Sequence, residues 1–196
     1  DLAMNRLAFK LSGISLKYLG GFSKANIHVE GKENIPDGSN IYTANHFTRI
    51  ETVFLPYHIN RITHRPVWSL ASEELFRHGF LQGLLNSLGA VSTRDPHRDD
   101  LIITTLLSKN AEWIIFPEGM MVKDKKIIKN NQFQISDGIE NRRPHTGAAT
   151  LALRCEFYRE RIRRMLDKNP KEAERLIELF DIQDVDQVLN TRTHIV

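Results

Sequence analysis

The chain predicts an α/β domain, a layered mixed sheet flanked by helices, and three observations carry that expectation. Short apolar runs of β-type composition recur at residues 41–44, 67–71 and 111–116. Segments with helical periodicity separate them, the alternation that builds a sheet covered by helices. Two of the runs also deliver ionisable groups just beyond their ends: His46 and Glu51 after the first, Glu118 after the third. Loops at strand ends are where α/β domains assemble reaction sites.

The elements follow in order. Leu7, Leu11, Ile14 and Tyr18 recur at helical spacing with Arg6, Lys10 and Lys17 between them, so residues 1–24 predict an amphipathic helix. That helix can lie in a lipid headgroup layer or pack on the core; Gly13 weakens it either way, and Gly20-Gly21 ends it. Residues 27–30 alternate like a short strand and 35–38 read as a turn. After the strand at 41–44, Thr48 is placed to cap a helix, with Glu51 at the third helical position of a Thr-x-x-Glu box. Val53, Phe54 and Leu55 follow before Pro56. Residues 67–71 form the next strand, then a helix over 73–87, then a short strand over 89–93 that ends at Arg94. Asp99 or Asp100 is expected to cap a helix to about residue 109, and the strand at 111–116 leads to Glu118.

Residues 123–141 are polar, with Lys125-Lys126 and little periodicity, and read as a surface loop. From Gly147 the chain turns helical: Leu151, Tyr158, Ile162 and Met165 make one face, and Arg154, Arg159, Arg161, Arg163 and Arg164 crowd the rest. Asn169 and Pro170 supply an N-cap and first-turn proline for a helix through Phe180, and 184–189 predict a last short one. The organisation expected is therefore a single domain: the N-terminal helix, a motif-bearing α/β core over 25–147, a basic helical segment over 148–190, and the start of a strand at 191–196. Because the chain begins at Asp1 rather than Met and ends inside an apolar β-branched run, a fragment of a longer protein is expected.

Composition narrows the function classes. With 196 residues and 41% hydrophobic content the chain can bury a substantial core. A single cysteine, Cys155, excludes an internal disulfide framework and suits a reducing compartment; its place in a helical run predicts a buried apolar residue rather than a nucleophile. No metal site is expected, since His58 and His64 do not have zinc spacing and the carboxylates are scattered. No uninterrupted apolar stretch reaches the roughly 18 residues of a membrane span. A Gly-x-Ser-x-Gly elbow and a phosphate-binding glycine loop are both absent, which argues against a serine hydrolase and a P-loop NTPase. The net charge of +3 is mildly basic and fits an anionic membrane face or a phosphorylated substrate. The 154–164 arginines lack interleaved aromatics at stacking spacing, so no nucleic-acid partner is expected.

The spacing of His46 and Glu51 sets a geometric condition. On one continuous helix, five positions turn about 500°, which points the two side chains about 140° apart. They meet only if the chain turns between them, with the imidazole on the loop and the carboxylate in the first helical turn. A carboxylate there fixes the ring tautomer and raises its basicity. Taken alone, the same residues also fit a plainer reading, in which Glu51 only caps a helix and His46 is an ordinary loop residue.

Read in order, Asn45-His46 with Glu51, then Gly89-Ala90-Val91-Ser92-Thr93-Arg94, then Phe116-Pro117-Glu118-Gly119 resemble the glycerolipid acyltransferases, specifically the 1-acylglycerol-3-phosphate acyltransferase family. The likeness runs from about Ile27 to Gly119, with a weaker echo at His145-Thr146-Gly147-Ala148. It implies a glycerol-3-phosphate acyltransferase-like fold and transfer of a fatty acyl group from a thioester of coenzyme A or acyl carrier protein to a lysophospholipid hydroxyl, in phospholipid biosynthesis or remodelling. The thioester is a co-substrate, and no further cofactor is implied. The resemblance also implies work at the cytoplasmic face of a membrane, peripherally or through an anchor outside this sequence. By the same resemblance His46 and Glu51 are the catalytic pair, and Arg94, Phe116, Pro117, Glu118 and Gly119 form the acceptor pocket.

Three departures stand out. Glu51 replaces the family's usual Asp, Met120-Met121 replace a Thr-Arg pair, and the family's fourth motif, a proline-containing apolar strand, is absent. Lys123, Lys125 and Lys126 follow closely enough to supply positive charge near an acidic headgroup. The competing expectation is a non-catalytic peripheral membrane module that binds lipid on the same scaffold.

Overall fold

The computed structural model describes residues 28–46, 51–77, 82, 83, 85, 86, 88–119, 127–129, 131–136 and 141–196. The expected amphipathic helix over 1–24, the Thr48 cap and Lys123 all lie outside these residues.

The elements in chain order are β1 (Ser39–Thr43), α1 (Glu51–Thr63), β2 (Val67–Ala71), β3 (Ala90–Ser92), α2 (Arg98–Leu107), β4 (Glu112–Ile115), β5 (Ile127–Lys129), β6 (Gln132–Ser136), β7 (Asn141–Arg142), α3 (Gly147–Lys168), α4 (Pro170–Leu179), α5 (Val185–Asn190) and β8 (Thr193–Ile195). Five strands form one sheet in the order β3-β2-β4-β1-β8, and every pairing in it is parallel. The antiparallel pairings segregate to β5, β6 and β7. The α/β architecture expected from the alternation is thus present, with parallel and antiparallel strands kept apart.

Helices cover both faces of the parallel sheet, which is why its strands read as unbroken apolar runs rather than as alternating ones. On one face Tyr42, Val67 and Ile114 pack with Ile59 and Leu55 of α1. On the other, Ile41, Trp68, Trp113 and Ile115 meet Ile102, Ile103 and Leu106 of α2 and Leu151, Cys155 and Ile162 of α3. The Trp68 and Trp113 rings lie 5.6 Å apart between centroids. The buried Trp113 indole donates to the Thr105 hydroxyl at 2.9 Å, so its one polar atom is satisfied. Cys155 is fully buried there and its thiol is pushed up to about 11, chiefly by burial, as expected of a small apolar residue.

Several expectations are corrected. His28–Glu30 form no strand. The proposed 73–87 helix opens as a 3-10 turn at Glu73–Phe76, with residues 82, 83, 85 and 86 helical among those described. Asp99 and Asp100 lie inside the first turn of α2, after His97 as N-cap, where their charges face the positive end of the helix.

The expected surface loop over 123–141 holds the β5–β6 hairpin instead. Ile128 pairs with Phe133 across a two-residue turn, and Asn131 in that turn adopts φ 59. Asn-Asn between two short strands is a hairpin signal, because asparagine tolerates the left-handed conformation such turns need. By contrast, Asn169 caps α4 through its side chain with Pro170 beside it, Asp184 caps α5, and β8 pairs with β1, all as the local signals predict.

Arg159 overturns the even spread of cations around α3. Its side chain is 2% exposed. It donates to the carbonyls of Leu106 and Val188 at 3.1 Å each, to the Thr193 hydroxyl at 2.6 Å and to Glu156 at 2.5 Å. It therefore binds α2, α5, β8 and α3 together. The other α3 arginines are matched by carboxylates: Arg154 by Asp99, Arg161 by Glu172, and Arg163 and Arg164 by Glu160. No described helix is long and apolar enough to cross a membrane.

Candidate active site

Strands β1 and β4 are hydrogen-bonded neighbours, with Thr43 opposite Ile115. Their outgoing chains stay together, since the Ala44 amide donates to the Ile115 carbonyl at 3.3 Å. The adjacency places Asn45-His46 beside Phe116-Pro117-Glu118-Gly119, at the C-terminal edge where parallel sheets hold their sites.

His46 sits between two carboxylates and an aromatic ring. Its Nδ1 is 2.9 Å from Glu51 Oε1, with the two side chains 19% and 18% exposed. The two side chains thus meet across the five-residue spacing, and Glu51 opens the described part of α1. An ionised carboxylate only accepts, so the neutral ring carries its proton on Nδ1 and presents a lone pair at Nε2. Nε2 makes no hydrogen bond among the described residues, and no described hydroxyl or thiol bonds to the ring. On the backbone side, the His46 amide donates to Glu118 Oε2 at 2.9 Å. The Phe116 ring lies against the imidazole, 4.7 Å between centroids and tilted 31°.

The turn that carries Glu118 is closed by the Gly119 amide donating to the Phe116 carbonyl at 2.9 Å. Gly119 has φ 66, in the left-handed region where a side chain is strained, so the turn itself accounts for the glycine. Glu118 is 3% exposed. Its position makes it a clamp between the two loops, in addition to the place in the acceptor pocket that the resemblance implies. The carbonyl of Pro117 accepts from the His145 amide at 2.8 Å, which brings the segment before α3 onto the same turn. That contact gives the His145-Thr146-Gly147-Ala148 echo a structural meaning the sequence alone does not show.

Arg94 follows β3, three strands from β1, on the order of 14 Å away by ordinary strand spacing. Its guanidinium pairs with Glu73 at 2.8 Å and is largely exposed. Glu73 follows β2 on the same sheet edge, which is the signal that finds it. The nearer acids along the chain are used elsewhere: Asp95 accepts from the His97 amide, and Asp99 pairs with Arg98 and Arg154. Among the described residues, no group of three or more His, Cys, Asp or Glu is disposed to hold a metal.

A base with its second nitrogen held by a carboxylate, and no side-chain nucleophile bonded to it, is equipped to take a proton from a group that enters the cleft. Compared with known proteins, residues 26–162 match a family model described as Acyltransferase. No curated protein and no solved structure gives a match. The matched segment spans β1 through most of α3 and so includes His46, Glu51, Arg94 and the Phe116-Pro117-Glu118-Gly119 turn.

Proposed function

The chain belongs to the acyltransferase family, and from that premise we propose that it moves a fatty acyl group from a thioester to the hydroxyl of a lysophospholipid such as 1-acylglycerol-3-phosphate. The observation that carries this reading is the 2.9 Å contact between His46 Nδ1 and Glu51 Oε1, which leaves Nε2 as the base.

In this reaction the acceptor hydroxyl gives its proton to His46 Nε2 while its oxygen attacks the thioester carbonyl. The tetrahedral intermediate collapses and expels the sulfur, and the imidazolium returns the proton to it, so the carrier leaves as a thiol. General-base help of this kind is worth about 10² to 10⁴-fold. Glu51 orients the ring and stabilises the imidazolium that forms between the two proton transfers. No acyl-enzyme is required, since the acceptor oxygen is itself the nucleophile. The Gly119 amide is committed to the Phe116 carbonyl and is no donor for the oxyanion. The carrier is coenzyme A or acyl carrier protein. A lysolipid acceptor puts the work at a membrane surface, on its cytoplasmic face, with the domain peripheral or held by an anchor outside this sequence.

The test is release of free thiol from an acyl thioester. Time-dependent release stimulated by a lysophospholipid is the expected result. Saturable lysolipid binding with no thiol release would overturn catalysis in favour of a lipid-binding module.

A further inference from the structure

We propose that Arg143 binds the anionic headgroup of the acyl acceptor, a phosphomonoester on an acylated glycerol, and thereby selects that acceptor. The inference rests on the acyl-transfer reading of His46.

The segment before α3 is docked on the catalytic turn by the His145 amide, which donates to the Pro117 carbonyl at 2.8 Å. Pro117 lies between the residue whose ring packs on His46 and the residue whose carboxylate holds the His46 amide. Arg143 is two residues upstream of that anchor, a distance of at most about 7 Å along the chain. A guanidinium on a long flexible stem therefore starts within reach of the turn. In the acceptor, the phosphate sits on the glycerol carbon next to the one bearing the free hydroxyl. A hydroxyl at His46 Nε2 accordingly brings the phosphate close to the same turn.

Charge bookkeeping points the same way. Arg94 is taken by Glu73 and Arg98 by Asp99, and the arginines of α3 from 154 to 164 are each matched by a carboxylate. Arg143 is exposed and makes no ion pair with a described residue. A phosphate meeting Arg94 competes with a carboxylate already there, whereas one meeting Arg143 displaces only water. The planar fork of arginine also matches phosphate oxygens two at a time, which an ammonium does not.

The experiment compares 1-acylglycerol-3-phosphate with uncharged monoacylglycerol as acceptors, using the wild type, Arg143→Gln and, as control, Arg175→Gln on the exposed face of α4. For Arg143→Gln the KM for the phosphate acceptor is expected to rise at least about tenfold, the size of one charge-assisted contact. The kcat and all monoacylglycerol kinetics should stay near wild type, and Arg175→Gln should change neither. An unchanged KM for the phosphate acceptor, an equal rise for both acceptors, or a wild type that prefers monoacylglycerol would overturn the proposal. If the wild type transfers to neither acceptor, the acyl-transfer reading fails separately. Binding then decides the headgroup site: folded His46→Ala protein should retain 1-acylglycerol-3-phosphate at least about tenfold better than the same protein with Arg143→Gln added. Equal retention would sink the assignment.

Discussion

Glu51 offers the cleanest residue-scale probe of the proposed chemistry, because its contact with His46 Nδ1 can be altered without changing shape. Glu51→Gln keeps an acceptor oxygen at 2.9 Å from Nδ1 but removes the charge that stabilises the imidazolium. The expected outcome is a kcat at least about tenfold lower with KM nearly unchanged, the signature of an interaction made in the transition state. Steady-state kinetics read it, and a loss confined to KM would refute the orienting role. The pair was legible in the sequence because five positions across a strand-to-helix turn is a local relation. Glu118 was legible only as a motif member. Its hydrogen bond to the His46 amide spans 72 residues and depends on β1 and β4 being neighbours, which no local pattern states. The pairing of Arg94 with Glu73 was hidden for the same reason, since it needs β2 and β3 side by side.

Among elements, α3 shows most clearly where sequence reading stops. Five arginines along one helix look alike in the sequence, and four of them do sit at or near the surface in ion pairs. Arg159 differs only through what packs around it: the ends of α2 and α5 and the strand β8, none adjacent in the chain. Its removal deletes four hydrogen bonds at once, although the Leu106 carbonyl keeps the Ser39 hydroxyl and Glu156 keeps the Thr193 amide and Arg192. Arg159→Met is therefore expected to destabilise the fold by about 3 kcal/mol, the cost typical of breaking a buried charged network. Arg163→Met, at an exposed pair, should cost far less. Denaturant unfolding of the two variants checks this, and equal losses would contradict the account of α3. The β5–β6 hairpin was missed for a different reason. Its turn signal, Asn130-Asn131, is present in the sequence but was outweighed by the polar composition around it.

At the scale of the molecule, the parallel sheet has two ends with different tasks. Its C-terminal edge gathers His46, Glu118 and Arg94, while the opposite edge buries Glu112 completely. Glu112 lies 2.8 Å from the Arg65 guanidinium and accepts from the Asn40 amide at 3.1 Å. Burial nevertheless outweighs those partners and raises its carboxyl from 4.5 to about 6. The folded state thus holds this proton more tightly than the unfolded chain. Stability from Glu112 is complete below pH 4.5 and falls as pH rises toward 6, by about 2 kcal/mol in all. Glu112→Gln mimics the protonated form. Its stability relative to wild type should rise by about 2 kcal/mol between pH 4.5 and 7 in urea titrations, and a difference independent of pH would contradict this. The alternation of strand and helix made the α/β class legible, whereas strand order was not, since β1 and β2 are consecutive in the chain yet separated by β4. The proposed chemistry stands on His46 as the base. Turnover of His46→Ala, measured as lysolipid-dependent thiol release on protein shown to be folded, should be about 10² to 10⁴-fold below wild type with an unchanged melting temperature. Near-normal turnover from that variant would contradict it.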